Sequence, residues 1–299
     1  MDMLKICGLR KSFGEKEVLR GVDLAVPENS IFGFVGKNGA GKTTAMKAVL
    51  GLLPIDAGEI FVAGEKVTNG QTATNRHIGY LPDVPEFYPF MTACEYLTFC
   101  GEILGMEKSL INERCDELLT LVGLKKERHR IKGFSRGMKQ RLGIAQALFG
   151  RPALLICDEP TSALDPVGRK EILDILVSAS RETTVIFSTH ILSDVERICT
   201  DVAFLNNGVI EIFGKVSDIK KKYRTDEYIV EADSADATSR LAEKFPKMRK
   251  SSGTALSFNT ADHSPHDVMR YIADNALPIQ RLERAEPGLE SLFLEVTGK

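Results

Sequence analysis

The chain of 299 residues predicts an α/β fold organised around a glycine-rich loop, followed by a small α+β domain. Three observations carry that expectation. An apolar run, Ile31-Phe32-Gly33-Phe34-Val35, passes through glycines into a helix-forming stretch at 45–52. A second run, Ala153-Leu154-Leu155-Ile156-Cys157, ends in two adjacent carboxylates. Short, continuous apolar runs of this kind mark strands buried on both faces of a parallel sheet. From about residue 226 the pattern restarts as strand, helix, two strands, helix and strand, the order of a ferredoxin-like sandwich.

The loop reads Gly36-Lys37-Asn38-Gly39-Ala40-Gly41-Lys42-Thr43-Thr44, the G-x-x-x-x-G-K-[ST] spacing in its strand–loop–helix setting. Glycines let the backbone curl until successive N–H groups face one point, a concavity suited to phosphate oxygens. The following helix adds its positive end. Lys42 then reaches β- and γ-phosphates, and the Thr43 hydroxyl suits Mg²⁺. A turn that merely joined a strand to a helix would not need this spacing, so a nucleoside triphosphate site is expected.

Composition narrows the rest. The formal net charge of -2 argues against nucleic acid as a bulk electrostatic partner. Six cysteines are scattered without C-x-x-C spacing, several within apolar stretches, which predicts buried reduced thiols. With no signal peptide apparent, this points to the cytosol. No apolar run approaches the roughly 20 residues that span a bilayer, so membrane work would need a separate spanning partner.

Taken in order, residues 3–8 and then 18–26 read as strands, with Phe13 in the loop between them. An aromatic there either packs in the core or stacks on a base. Strands follow at 59–62 and 78–83. Thr92 and Glu95 have capping-box spacing and open a helix to about Leu104, with another helix at 110–122. This helical insert, about 84–150, reads as a subdomain. Its last helix starts at Phe134-Ser135-Arg136-Gly137 and places Met138, Leu142, Ala145 and Leu148 on one core-facing side. Ser135 and the Gly137 amide stand at that helix start, either as an ordinary cap or as an anion-receptive place.

Asp158 and Glu159 end the second apolar strand, where alternation would point them to opposite sides. Asp158 fits a magnesium-supporting position and Glu159 a general base for water. Asp165 before Pro166 is a helix cap. His190 stands after strand 184–188, at the ligand-facing edge of such sheets. Asn207-Gly208 predicts a hairpin. A first domain at 1–216, a basic link at 217–225 and a domain at 226–299 complete the reading. In the last domain Ser264 is expected to cap helix 265–275, and Pro287 to open a final amphipathic segment.

Together these motifs resemble the ATP-binding cassette of ABC transporters over about residues 1–216. The resemblance rests on the glycine loop, Ser135-x-Gly137, Leu155-Ile156-Cys157-Asp158-Glu159-Pro160, Ser162-Ala163-Leu164-Asp165 and Ser188-Thr189-His190. The Phe134–Arg141 stretch and the Pro287-Gly288-Leu289-Glu290-Ser291-Leu292-Phe293 ending resemble one prokaryotic branch. That branch contains drug, antibiotic and sodium efflux cassettes, each paired with a separate permease. The resemblance implies a P-loop NTPase with a RecA-like core, an antiparallel β subdomain and a helical subdomain. It also implies ATP and Mg²⁺ as ligands, a position on the inner face of the membrane, and head-to-tail closure of two cassettes on two ATP molecules. In that arrangement Phe13 stacks on adenine, the loop from Gly36 through Asn38, Gly39, Ala40, Gly41, Lys42, Thr43 and Thr44 holds phosphates, and the partner's Ser135 and Gly137 cap the γ-phosphate. Glu159 polarises water, His190 orients it, and Asp165 reports across the interface.

Two positions depart from the family. Asp83 stands where Gln is usual, and an ionised Asp offers Mg²⁺ a charge but water no donor. Arg136 and Met138 replace commoner residues in the signature, while its Ser and Gly remain. Two other classes compete with the transporter reading. A cassette acting on DNA or the ribosome usually carries two cassettes or a long coiled coil, and this chain has one motif set and no sustained heptads. A nucleotide sensor with little hydrolysis would have no need of both Glu159 and His190.

Overall fold

The computed structural model describes residues 2–70, 73–222, 226–285 and 288–296. The chain divides into two compact units at residue 217. The first opens with β1 (Asp2–Phe13), β2 (Lys16–Pro27), β3 (Ile31–Val35), α1 (Lys42–Val49), β4 (Ala57–Val62) and β5 (Glu65–Lys66). Strand β1 runs longer than the sequence pattern implies. Its pairing with β2 continues through Ser12 opposite Glu17 to Phe13 opposite Lys16, so Phe13 closes a strand instead of lying in a loop. Four antiparallel strands in the order β2-β1-β4-β5 make an outer sheet.

Next come β6 (Ile78–Leu81), α2 (Ala93–Ile103), α3 (Lys108–Leu121), α4 (Arg136–Leu148), β7 (Leu154–Cys157), α5 (Pro166–Ala179), β8 (Thr184–Thr189), α6 (Leu192–Ile198), β9 (Asp201–Asn206) and β10 (Val209–Lys215), and α7 (Val216–Lys222) runs across the division. The central sheet has the order β10-β9-β3-β8-β7-β6. All neighbours are parallel except β10, which returns from β9 through Asn207-Gly208. Both turn residues have positive φ, 47° and 80°, the backbone a two-residue hairpin of this twist needs. Every residue of β3, β7 and β8 is buried, which is why these strands read as apolar runs rather than alternations.

Helix α2 is held at its start by Thr92, whose hydroxyl accepts from Glu95 N while the Glu95 carboxylate accepts from Thr92 N at 2.7 Å. Thr92→Ala removes the reciprocal cap and is expected to lower unfolding free energy by about 1 kcal/mol, read as a reduced urea midpoint at unchanged slope. On α4, Leu142, Ala145 and Leu148 are buried as the periodicity implies, whereas Met138 is only half-buried. The helix lies directly on β6. A Cβ at Gly79 would meet Ala147 O at 2.1 Å, so only glycine admits this approach. All six cysteines are free. Cys115 and Cys157 are buried, Cys7, Cys100 and Cys199 half-buried, and Cys94 is exposed, so the expected burial is complete for two of the six.

The second unit contains β11 (Glu227–Ala232), α8 (Ala235–Lys244), β12 (Arg249–Ser252), β13 (Ala255–Asn259), α9 (Pro265–Asp274), β14 (Ile279–Arg284) and α10 (Leu289–Val296). The sheet is antiparallel in the order β12-β13-β11-β14, the strand arrangement of a ferredoxin-like βαββαβ sandwich. Val230, Leu241, Leu256, Phe258 and Val268 fill its core. Ser234 caps α8 through Ala237 N. Ser264 stands at the start of α9 but makes no side-chain capping bond. The basic run Lys220-Lys221-Lys222 lies at the end of α7. Residues 223–225 of the expected link, and Pro287, lie outside the described residues.

Candidate nucleotide site

Parallel strands present their carboxyl ends on one edge, and β3, β8 and β7 are consecutive neighbours in the sheet. The loop after β3, His190 after β8, and Asp158 with Glu159 after β7 are therefore brought together. Gly36 N donates to Thr189 O at 3.2 Å, which ties the loop to β8. Gly41 has φ 111° and caps α1. A Cβ there would meet Leu19 Cδ2 at 2.8 Å and would also be strained by that φ.

A cleft of about 430 Å³ opens at this edge, lined on the loop side by Asn38, Gly39, Gly41, Lys42, Thr43 and Thr44. Asp83, Glu159 and His190 face it from the other strands, and Val18 and Ser162 complete the wall. Lys42 is 5% exposed, and its Nζ donates to Gly36 O at 2.7 Å and Lys37 O at 3.3 Å. The same ammonium lies 3.1 Å from Glu159 Oε1. That carboxylate oxygen accepts no aligned hydrogen bond, so the contact is an ion pair. Glu159 Oε2 is 2.9 Å from His190 Nδ1. An ionised carboxylate only accepts, which puts a proton on Nδ1.

Asp158 is 2% exposed and has a donor at each oxygen. Thr43 Oγ1 donates to Oδ2 at 2.7 Å, and Ser188 Oγ donates to Oδ1 at 2.6 Å. Ser188 in turn accepts from Glu159 N at 2.8 Å. Burial, aided by the Asp158 charge, pushes the nearby Tyr80 phenol up to about 12. Burial and then the same charge push the Cys157 thiol up as well, so it stays protonated.

The two carboxylates do not divide by strand alternation, as the sequence implies. Strand β7 ends at Cys157, and Glu159 turns into the left-handed region at φ 49°. That conformation costs a non-glycine residue roughly 1–3 kcal/mol and is kept where function needs it. It turns Glu159 toward Lys42 while Asp158 faces Thr43.

Asp83 lines the cleft, yet its carboxylate pairs with Arg136 Nη2 at 3.3 Å. Partial burial raises its pKa first; Arg136 opposes the rise, and the charges of Asp158 and Glu159 add to it. Phe13 is 51% exposed with Lys11 Nζ 5.4 Å above its ring, which excludes the core reading, and it does not line the cleft. Ser135, Gly137 and Asp165 also lie outside it. Ser135 Oγ accepts from Met138 N, and Asp165 Oδ1 from Gly168 N, so both act as helix caps. Val18 carries no mark in the sequence, and Ser162 and Ser188 fall within the quoted motifs without a role of their own. A hydroxyl inside the buried run 184–189 was the available signal for Ser188, since buried polar groups need partners.

Fold and loop together define a P-loop nucleotide-binding protein. The ABC transporter family matches residues 19–162, and the family of ATP-binding protein DrrA1-3-like C-terminal domains matches residues 214–297. The chain is 38% identical to the ABC transporter ATP-binding protein YxlF of Bacillus subtilis over 98% of its own length and 99% of the relative's. It is 32% identical to the bacitracin transport ATP-binding protein BcrA of Bacillus licheniformis, covering 99% and 97%. To the linearmycin resistance ATP-binding protein LnrL of Bacillus subtilis it is 31% identical, covering 99% of each. Among solved structures, the ATP-binding subunit of an ABC transporter superposes with TM-score 0.66 at 29% identity, covering 74% of this chain and 93% of that one. An ATP-binding cassette solved as a post-hydrolysis dimer with ADP and Pi gives 0.63 at 25%, covering 72% and 99%. The chain belongs to the ATP-binding subunits of ABC transporters and is an ATPase of that family.

Proposed function

We propose that two copies of this chain close head to tail on two ATP molecules and drive a separately encoded membrane permease, in the direction of export. The observation that carries the reading is the split of the expected site. Lys42, Thr43, Glu159 and His190 line one cleft, with Asp158 buried behind Thr43, whereas Ser135, Gly137 and Asp165 lie outside it on exposed or half-exposed helix starts. A second copy can supply the missing side. Residues 1–216 would form the nucleotide-binding domain and 226–299 an accessory one with a packing or regulatory role.

Within each site, the loop amides and Lys42 hold the triphosphate. Lys42 exchanges its contact with Glu159 for phosphate, which frees that carboxylate to take a proton from water. His190 fixes Glu159 through Nδ1, and its Nε2, when protonated, donates to the γ-phosphate. Phe13 supplies an exposed ring for adenine. The donors suit magnesium, a hard cation that needs few protein ligands and takes substrate oxygens for the rest. Thr43, Asp158 and Asp83 would hold the ion, which would supply charge neutralisation for the triphosphate. In-line displacement then needs mainly positioning and charge compensation.

No helix among the described residues is long and apolar enough to cross a membrane, which fits a spanning partner on another chain. An apolar groove of about 540 Å³ between Phe87, Tyr88, Tyr96, Phe99, Ile103 and Phe149, with Val84, Phe90 and Leu104 exposed around it, is the kind of surface that marks a protein partner. The names of the bacitracin and linearmycin relatives support export of an antibiotic-like molecule, and a cassette serving such an exporter would sit at the cytoplasmic face of the membrane. Affinity purification of the full chain from solubilised membranes is expected to recover an integral protein with several spans. Phe90→Asp with Ile103→Asp should lose it while ATP binding is kept; recovery of no integral protein by the wild type would remove the transporter assignment.

A further inference from the structure

One buried carboxylate joins the three segments that carry Glu159, Asp165 and His190. Asp194 lies on the first turn of α6, one turn beyond His190, and is 3% exposed. Its Oδ2 accepts from Thr161 Oγ1 at 2.8 Å and its Oδ1 from Arg169 Nη2 at 2.6 Å. Thr161 is fully buried and stands in the turn that Glu159 begins. Arg169 lies on the first turn of α5, the helix Asp165 caps, and its guanidinium also reaches Ser193 Oγ at 3.4 Å.

The turn between Glu159 and Asp165 is tight. Ser162 N donates to Glu159 O at 3.0 Å and Leu164 N to Thr161 O at 3.4 Å. Glu159 and Ala163 both have left-handed φ, 49° and 53°, a conformation that non-glycine residues keep only when their surroundings over-determine it. Asp194 grips this turn from outside, through Thr161. Because Asp194 rides on the helix that follows His190, the same grip sets the separation of Glu159 and His190.

We infer that Asp194, with Thr161 and Arg169, is a positioning residue for hydrolysis: it holds the Glu159–His190 pair in register and couples it to the Asp165 cap. The inference rests on the ATPase roles proposed for that pair. None of the three side chains lines the cleft, so their loss should act on turnover rather than on nucleotide affinity. Misplacement by about 1 Å of groups that must meet a substrate costs on the order of 10²-fold in rate.

The test measures steady-state ATPase kinetics, equilibrium binding of a fluorescent ATP analogue and thermal melting on full-length Asp194→Asn, Thr161→Val and Thr161→Ser. Thr161→Val is nearly isosteric and removes only the hydroxyl, whereas Thr161→Ser keeps it. Asp194→Asn and Thr161→Val are expected to lose about 10- to 100-fold in kcat with analogue affinity within about threefold. Thr161→Ser should restore most of the turnover. The double variant should be little worse than either single one, since both remove one contact. Turnover of both singles within about twofold of wild type overturns the inference. So does a Thr161→Ser variant as slow as Thr161→Val, or a loss of affinity and melting temperature in step with kcat, which marks a purely structural tie. A wild-type chain that binds the analogue but does not turn over overturns the hydrolysis reading itself, and does so before any variant is compared.

Discussion

Glu159→Gln is expected to bind ATP, to hydrolyse it slower than wild type by on the order of 10²–10⁴, and to accumulate as a closed dimer. The factor is what a positioned general base contributes. The substitution keeps the shape and a hydrogen-bond acceptor for His190 Nδ1 but removes the charge that pairs with Lys42 at 3.1 Å. Lys42 then meets an incoming phosphate without a competing carboxylate, so affinity for ATP should hold or rise. Size-exclusion chromatography with ATP and magnesium would show the dimer, and a single-turnover assay the slow chemistry. Turnover like that of the wild type would take the base role away from Glu159.

Lys42→Ala should act on the other half of the cycle. Its ammonium is 5% exposed and carries the positive charge at the bottom of the loop. Removing one partner of a buried ion pair leaves the other uncompensated, at a cost of about 3–5 kcal/mol. The partner abandoned in the bound state is the triphosphate, whereas in the empty site Glu159 keeps His190 beside it. Loss of ATP affinity by on the order of 10²-fold or more follows at 1.4 kcal/mol per decade. The simplest readout is thermal melting: ATP should raise the wild-type midpoint by mass action and leave that of Lys42→Ala in place. An undiminished ATP-induced shift in the variant would exclude Lys42 from phosphate binding.

Much of the architecture could be read before any coordinates. Strands 227–232 and 279–284 of the second unit fall where the pattern implies, because each is short, bounded by turn residues and backed by a helix of clear 3.6 periodicity. The capping box at Thr92 was likewise local, a matter of two residues at fixed spacing. Phe13 closes a strand where the sequence implies a loop, because the long β1–β2 hairpin is stabilised by pairing across strands, which carries no signature within the strand itself. Met138 was overcounted as core because helical periodicity gives a face but not its depth.

The order of motifs along the chain determined that this is a P-loop protein and which charged residues gather at its loop. Those features are chemical and local: glycines where a backbone must curl, a lysine and a hydroxyl one step on, carboxylates at a strand end. Only the tertiary structure decided who meets whom. Insertion of β8 between β3 and β7 brings His190 to Glu159 and Ser188 to Asp158, and the left-handed turn at Glu159 aims that carboxylate at Lys42. The pairing of Asp83 with Arg136 and the grip of Asp194 on Thr161 and Arg169 are equally non-local. Such contacts join segments far apart in sequence. Their partners are chosen by sheet order and helix packing, and no spacing rule within the chain encodes that choice.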